Sequence, residues 1–265
     1  MWFTVKSSYG IPKFPKEKIS PKELEYGDSV VLHCNPPKGI PPLHIYWMNI
    51  DLQHIPQDER VSMSLQGDLY FANVDENDSR SDYCCFAAFP RLRTIAQKMP
   101  MTLTVTRSKH GNDSSSSSAT AANLIKERKP KLLIPPESSG HSSDVTVIKG
   151  NDLFLECIAE GLPTPHLTWN RVDRGVIDNY GKILMVEKVT PADGGRYTCT
   201  AKNDMGETKH YFNVHVEGCL RDANRVGTQM EQIQWRPVGS PALQTPGGSQ
   251  TNPITVACPG PSYTA

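Results

Sequence analysis

The chain has 265 residues with 28 basic and 28 acidic side chains, and so no net charge at neutral pH. Without a long-range field, neither nucleic acid nor an anionic membrane is favoured as its main partner. The length accommodates two domains of about 100 residues, each able to bury its own core, and seven cysteines point to an oxidising compartment.

Residues 1–10 read as an irregular N-terminal segment without the run of about 7 to 15 apolar residues that a secretion leader needs. No later stretch approaches the roughly 18 apolar residues of a membrane span. The expectation is therefore a fragment or secreted product that lacks both leader and anchor. A first domain spans 11–106. In it Val30, Leu32 and Cys34 alternate with Val31 and His33, the period of a strand with one buried face. Ile45 and Trp47 face inward from the next strand, Leu69, Phe71 and Val74 supply another, and Leu103 with Val105 closes the sheet.

Residues 107–129 include the serine run from Ser114 to Ser118 and show no apolar periodicity, which reads as a flexible linker. As a loose coil it reaches about 25 to 30 Å, roughly one domain width, so the flanking domains are free to lie side by side or end to end. A second domain spans 130–217 and repeats the strand pattern with Leu153, Leu155 and Cys157, then Leu167 and Trp169, then Leu184, Val186 and Val189, then Phe212, Val214 and Val216. The donor-poor stretch Gly161-Leu-Pro-Thr-Pro165 and the turn Asn203-Asp-Met-Gly206 punctuate it. From 218 to 265 the composition shifts to Gly, Pro, Ser, Thr and Gln, and disorder is expected.

Both domains carry one constellation. A cysteine is followed 12 or 13 residues later by a tryptophan, and Tyr-x-Cys closes the pattern some 40 to 50 residues past the first cysteine. The residues are Cys34, Trp47, Tyr83 and Cys85, then Cys157, Trp169, Tyr197 and Cys199. This arrangement is that of the immunoglobulin-like sandwich, in which one disulfide joins two sheets, a tryptophan packs on it and a tyrosine pins the corner before strand F. The expected fold is all-β, with two tandem immunoglobulin-like sandwiches of the I-set type. The tandem Cys84-Cys85 offers two partners for Cys34. Residues i and i+2 share a strand face, so Tyr83 and Cys85 point inward and Cys84 outward. Cys84 is left either as a tolerated unpaired thiol or as a mixed-disulfide or dimer contact; Cys219 and Cys258 fall in no register of the fold.

Several segments resemble the L1 family of neural cell adhesion molecules. They are Lys13-Phe-Pro-Lys-Glu-Lys-Ile19, Cys34 through Ile50, Gln57-Asp-Glu-Arg-Val61, Gly67-Asp-Leu-Tyr-Phe-Ala-Asn-Val74 and Asp82 through Ile95, with Asn112 through Ser118 and Lys129-Pro-Lys-Leu-Leu133 beyond them. The resemblance covers about residues 11 to 217 and places the two sandwiches as second and third immunoglobulin domains. It implies adhesion and neurite guidance at the neuronal surface through homophilic and heterophilic contacts. It also implies a horseshoe in which the second domain lies beside the third. Against the family, the segment from Arg171 to Gly181 is shortened.

Asn77-Asp-Ser79 and Asn112-Asp-Ser114 are N-glycosylation acceptors in an expected turn and linker. Lys126, Arg128, Lys129 and Lys131 form a basic cluster that reads either as a heparan sulfate contact or as a solvated linker end. Arg91 and Arg93, with Phe86 and Phe89 nearby, read as a candidate partner face or ordinary sheet surface. No His-Glu-x-x-His, Gly-x-Ser-x-Gly, phosphate-cradling loop or zinc-spaced cysteine pair occurs, so neither catalysis nor a cofactor is expected. Two other functions compete with adhesion: a soluble decoy, and an intracellular structural repeat of the muscle-filament type, which the paired cysteines and glycan acceptors disfavour. Peptide mapping of the unreduced protein is expected to recover Cys34 linked to Cys85 and Cys157 to Cys199; recovery of Cys34 linked to Cys84 would overturn the strand-phase argument.

Overall fold

Short alternating segments cannot bury both faces, so they pair into sheets and the sheets stack on their apolar sides. In the computed structural model, which describes residues 10–107, 127–136 and 140–218, this yields two β-sandwiches. The first contains β1 (Lys22–Glu25), β2 (Val30–Leu32), β3 (His44–Met48), β4 (Val61–Met63), β5 (Leu69–Phe71), β6 (Arg80–Phe89), β7 (Thr94–Gln97) and β8 (Met101–Thr106). One sheet runs β1-β8-β6-β3 with β7 also on β6, and the other runs β2-β5-β4. The second contains β9 (Arg128–Ile134), β10 (Ser142–Ile148), β11 (Leu153–Glu156), β12 (Ile158–Leu162), β13 (His166–Trp169), β14 (Val176–Asp178), β15 (Ile183–Val186), β16 (Gly195–Asn203) and β17 (Gly206–Glu217). Its sheets are β10-β17-β16-β13 and β11-β15-β14, and β9 pairs with β12 as a further ribbon.

Each core is built around a cross-sheet cystine. Cys34 is bonded to Cys85 with Cα atoms 5.6 Å apart, and Cys157 to Cys199 at 6.5 Å. Closing a loop of about 50 residues contributes on the order of 4 kcal/mol in the chain-entropy account. Around the first bond pack Leu32, Trp47, Leu69, Phe71 and Leu103, and around the second Leu155, Trp169, Leu184, Phe212 and Val214. The two indoles do the same second job. Trp47 Nε1 donates to Gly67 O at 2.8 Å, and Trp169 Nε1 donates to Gly181 O at 2.8 Å. Both glycines turn the chain into the following strand with φ of +91° and +84°, a region that favours glycine.

The corners repeat as closely. Tyr83 donates its hydroxyl to Asp78 O at 2.8 Å, and Tyr197 to Asp193 O at 2.7 Å. Each aspartate caps its own single 3-10 turn, Asp78 accepting from Asp75 N and Asp193 from Thr190 N. Each also takes an arginine from the opposite sheet region. Arg60 reaches both Asp78 oxygens, at 2.6 and 3.0 Å, and Arg174 reaches Asp193 at 2.7 Å. Burial alone would raise the Asp193 carboxyl, but the Thr190 hydrogen bonds and the Arg174 guanidinium outweigh it and hold the group below its ordinary value.

Three features differ from the sequence reading. The hairpin β6–β7 arises because Pro90–Leu92 forms a 3-10 turn closed by Arg93 at φ +50°, a local conformation that no apolar alternation announces. The second sandwich begins at Arg128, inside the segment read as linker, because Asn203 Nδ2 donates to Arg128 O at 2.8 Å and fastens the chain there. Cys84, opposite Met48 in the ladder, is unpaired yet fully buried, and burial raises its thiol pKa, leaving little thiolate. Tyr83→Phe and Tyr197→Phe are each expected to remove about 1 kcal/mol of stability by deleting one buried hydrogen bond. Thermal unfolding of the single variants checks this.

Candidate interaction surface

A sheet in an isolated sandwich turns its outer face to water, and polar residues there need no partner. Here the outer faces of β2-β5-β4 and β11-β15-β14 meet, so the two sandwiches lie side by side. Register places Val31, Tyr70 and Ser62 in one outward row and Glu156, Ile183 and Asp178 in the facing one. Ser62 has no exposed surface, and its hydroxyl has no hydrogen-bond partner, a site that an isolated sandwich would leave wet.

Polar groups hold the seam at both ends. Near the lower end of the first sandwich, Asn73 Nδ2 donates to Gly161 O at 2.9 Å and to Thr164 Oγ1 at 3.0 Å, while Gly161 N donates to Ala72 O at 3.2 Å. Ser29 donates to the Glu160 carboxylate, which also pairs with Arg128 at 3.7 Å. Gly27, at φ +85°, lies under Leu162, whose Cδ2 would be 2.9 Å from any Cβ added there. At the other end Leu65 N donates to Glu156 Oε1 at 2.7 Å, Asn179 Nδ2 to Met63 O at 2.8 Å and Lys182 Nζ to Asp58 O at 3.1 Å. His166 and Glu59 add an exposed pair at 3.6 Å, of little energetic weight.

Burial between the sheets disturbs the charges. It raises the Glu156 carboxyl, with the Leu65 N–H opposing. It pushes the Lys182 ammonium down to about 8, with the charges of Asp58 and Glu59 opposing. It raises the Tyr70 phenol, with Asp68 and Glu156 adding to the shift. Beside this contact a cleft of about 730 Å³ opens between the domains, with Leu43, Ile45, Met63, Leu65, Tyr180 and Ile183 among its lining residues.

The residues singled out from the sequence are distributed elsewhere. Asn77 is exposed in the 3-10 turn Glu76–Asp78, its amide donating to Asp75 Oδ1 at 2.8 Å. The third residue of that acceptor, Ser79, turns its hydroxyl toward β8, where Val105 N donates to it at 2.9 Å. Asn112, Lys126, Cys219 and Cys258 lie outside the described residues. Arg128 is engaged by Glu160 at the seam, and Lys129 is exposed on β9. Arg91 and Arg93 are exposed, but Phe86 and Phe89 are buried, at 6% and 1%, so no aromatic face accompanies the arginines. The seam residues Asn73, Glu156, Glu160, Asn179 and Lys182 were not legible beforehand. Their partners lie 88 to 131 residues away in the chain, and the apolar Val31 and Ile183 in the outward rows were the signal that could have pointed to a covered face.

With this geometry in place, comparison with known proteins shows what the chain is similar to. The immunoglobulin domain family matches residues 135–203. Neural cell adhesion molecule L1-like protein from human is 60% identical over 213 residues, covering 78% of this chain and 16% of the relative, and its mouse counterpart is 58% identical over 214 residues. Over those residues the chain is similar to neural cell adhesion molecules of the L1 group. Human neural cell adhesion molecule L1 itself is 46% identical over 214 residues. The chain thus spans about a sixth of the length of these curated relatives. Among solved structures, Sidekick-1 immunoglobulin domains 1–4 superpose with TM-score 0.59 at 18% identity, covering 76% of this chain and 50% of that one. The insect immune protein hemolin superposes with TM-score 0.55 at 22% identity, over 76% and 53%. At these identities they establish the immunoglobulin fold alone.

In this L1-like pair Asn73 spans the seam with both amide protons. Asn73→Ala is expected to weaken domain packing by about 1 to 3 kcal/mol, because it leaves Gly161 O without a donor. Scattering profiles across a urea series should show the domains separating at lower denaturant, while the unfolding midpoint of each sandwich stays in place.

Proposed function

We propose that this chain is an extracellular adhesion and recognition module of the neuronal surface, which binds cell-surface proteins, including copies of its own kind, in support of neurite outgrowth and guidance. The observation that carries this reading is the 60% identity to an L1-like neural cell adhesion molecule across both sandwiches. The two modules correspond on this reading to the second and third immunoglobulin domains of the parent, which sits on the outer side of the plasma membrane. The cystines and the exposed Asn77 suit an oxidising, glycosylating route.

Side-by-side packing shapes how such a module would bind. It covers the outer faces of β2-β5-β4 and β11-β15-β14 and leaves the outer faces of the two larger sheets for partners. On the first of these, Tyr46 stacks on Phe86 with ring centroids 5.7 Å apart, and Ile95 is 61% exposed nearby. Recognition through sheet faces and loops, with about 800 Å² per partner at standard size and less for transient contacts, gives weak single encounters that clustering strengthens. Catalysis is not part of the proposal; the relatives bear the names of adhesion molecules.

Beads carrying the glycosylated protein are expected to aggregate with one another and to capture neuronal membranes. Failure of both, with both sandwiches shown folded by thermal melting, would remove adhesion as a property of this chain.

A further inference from the structure

Most of the seam is neutral, built of carbonyls, amides and apolar side chains, and two of its charged contacts are paired, Arg128 with Glu160 and His166 with Glu59. Two further charged groups differ. Lys182 leads into β15 and is only 3% exposed, and Glu156 ends β11, the strand beside it. Both belong to the second sandwich, and both are covered where the first one sits down. The Lys182 ammonium meets the carbonyl of Asp58, and the Glu156 carboxylate meets the N–H of Leu65. These are single hydrogen bonds to neutral groups. Among the described residues neither group forms an ion pair.

The charged groups around them are few. Facing Lys182 from the first sandwich are Asp58 and Glu59, which oppose its loss of charge without forming an ion pair. Facing Glu156 from the first sandwich is Tyr70 of β5, two residues beyond Asp68, and neither offers positive charge. Within the second sandwich Asp178 of β14 flanks the same row through Ile183. A buried charge that keeps only one neutral hydrogen bond costs free energy, which a neutral side chain of the same shape does not incur.

We propose that the seam is a titratable latch, in which the buried ammonium of Lys182 and the half-buried carboxylate of Glu156 keep the closed domain pair below its full stability at neutral pH, so that the sandwiches separate most readily there. The sign follows from linkage. In the closed pair Lys182 titrates at about 8 instead of its ordinary 10.5, so between these values the open form holds more protons and closure gains stability as pH rises. Glu156 is shifted upward, so the closed form holds more protons above the ordinary carboxylate value, and closure loses stability as pH climbs through that window. The two windows leave the minimum between them, near neutrality. The latch tunes how much of the chain presents the folded-back pair and how much an opened one with the outer faces of β2-β5-β4 and β11-β15-β14 free. It stands on the seam geometry and does not depend on the adhesion reading.

Hydrogen exchange of single amides in the full chain tests it. The Gly161 amide is bonded across the seam to Ala72 O, and the Lys98 amide is bonded to Cys85 O within the first sandwich. Corrected for intrinsic rates, Gly161 protection is expected to rise about tenfold from pH 7 to pH 9, the factor that the Lys182 shift gives by linkage; Lys98 protection should stay level. Lys182→Met should raise Gly161 protection at pH 7 by at least about tenfold and abolish the rise toward pH 9. Glu156→Gln should also raise it at pH 7. Flat Gly161 protection in the wild type overturns the proposal. So does weaker protection in Lys182→Met, which would mean that the bond to Asp58 O outweighs the buried charge. If the Met variant fails to fold, the wild-type profile alone decides.

Discussion

Everything in this chain hangs on the requirement that a cystine, a tryptophan and a tyrosine meet between two sheets. The two-residue pleat of a strand is what makes this possible. It sends Tyr83 and Cys85 to the same side of β6, and Tyr197 and Cys199 to the same side of β16. Once the sulfurs are joined, the indole has one place to lie, and its N–H needs one acceptor. That acceptor is the carbonyl of Gly67 or Gly181, which fixes the turn entering β5 or β15.

The second layer of constraint sits at the corners. Asp78 and Asp193 each join three elements: the 3-10 turn they cap, the arginine from the strand region across the sandwich, and, through their own carbonyl, the tyrosine hydroxyl. A carboxylate buried this way would be costly alone, and the hydrogen bonds and guanidinium offset the cost. The repetition in both sandwiches shows that the corner is a unit and not a coincidence of neighbouring residues.

The seam follows a different logic. A sandwich core is closed by sulfur bonds and apolar packing, whereas the seam joins two finished surfaces. Its contacts are largely hydrogen bonds from side chains to backbone, such as Asn73 to Gly161 and Asn179 to Met63, with Leu162 over Gly27 as an apolar anchor. Surfaces of this kind are soluble when apart and bonded when together, so opening strands less apolar area than unfolding would. The unpartnered hydroxyl of Ser62, the buried charge of Lys182 and the half-buried charge of Glu156 mark where the fit is incomplete.

By itself the sequence determined the all-β class, the two sandwiches, the strands carrying Leu32, Trp47, Leu155 and Trp169, and which cysteines face inward. All of these follow from alternation and from spacings within about 50 residues of chain. Only the tertiary structure decided that Cys84, Phe86 and Phe89 are buried and that β9 begins at Arg128. It alone decided which residues form the seam as well. Glu156, Asn179 and Lys182 look like ordinary surface residues because each is polar on an outward face, and burial there depends on a second sandwich whose approach is set by groups about 100 residues away. Local periodicity records which side of a strand faces its own core; it carries no information about what another domain later lays against the other side.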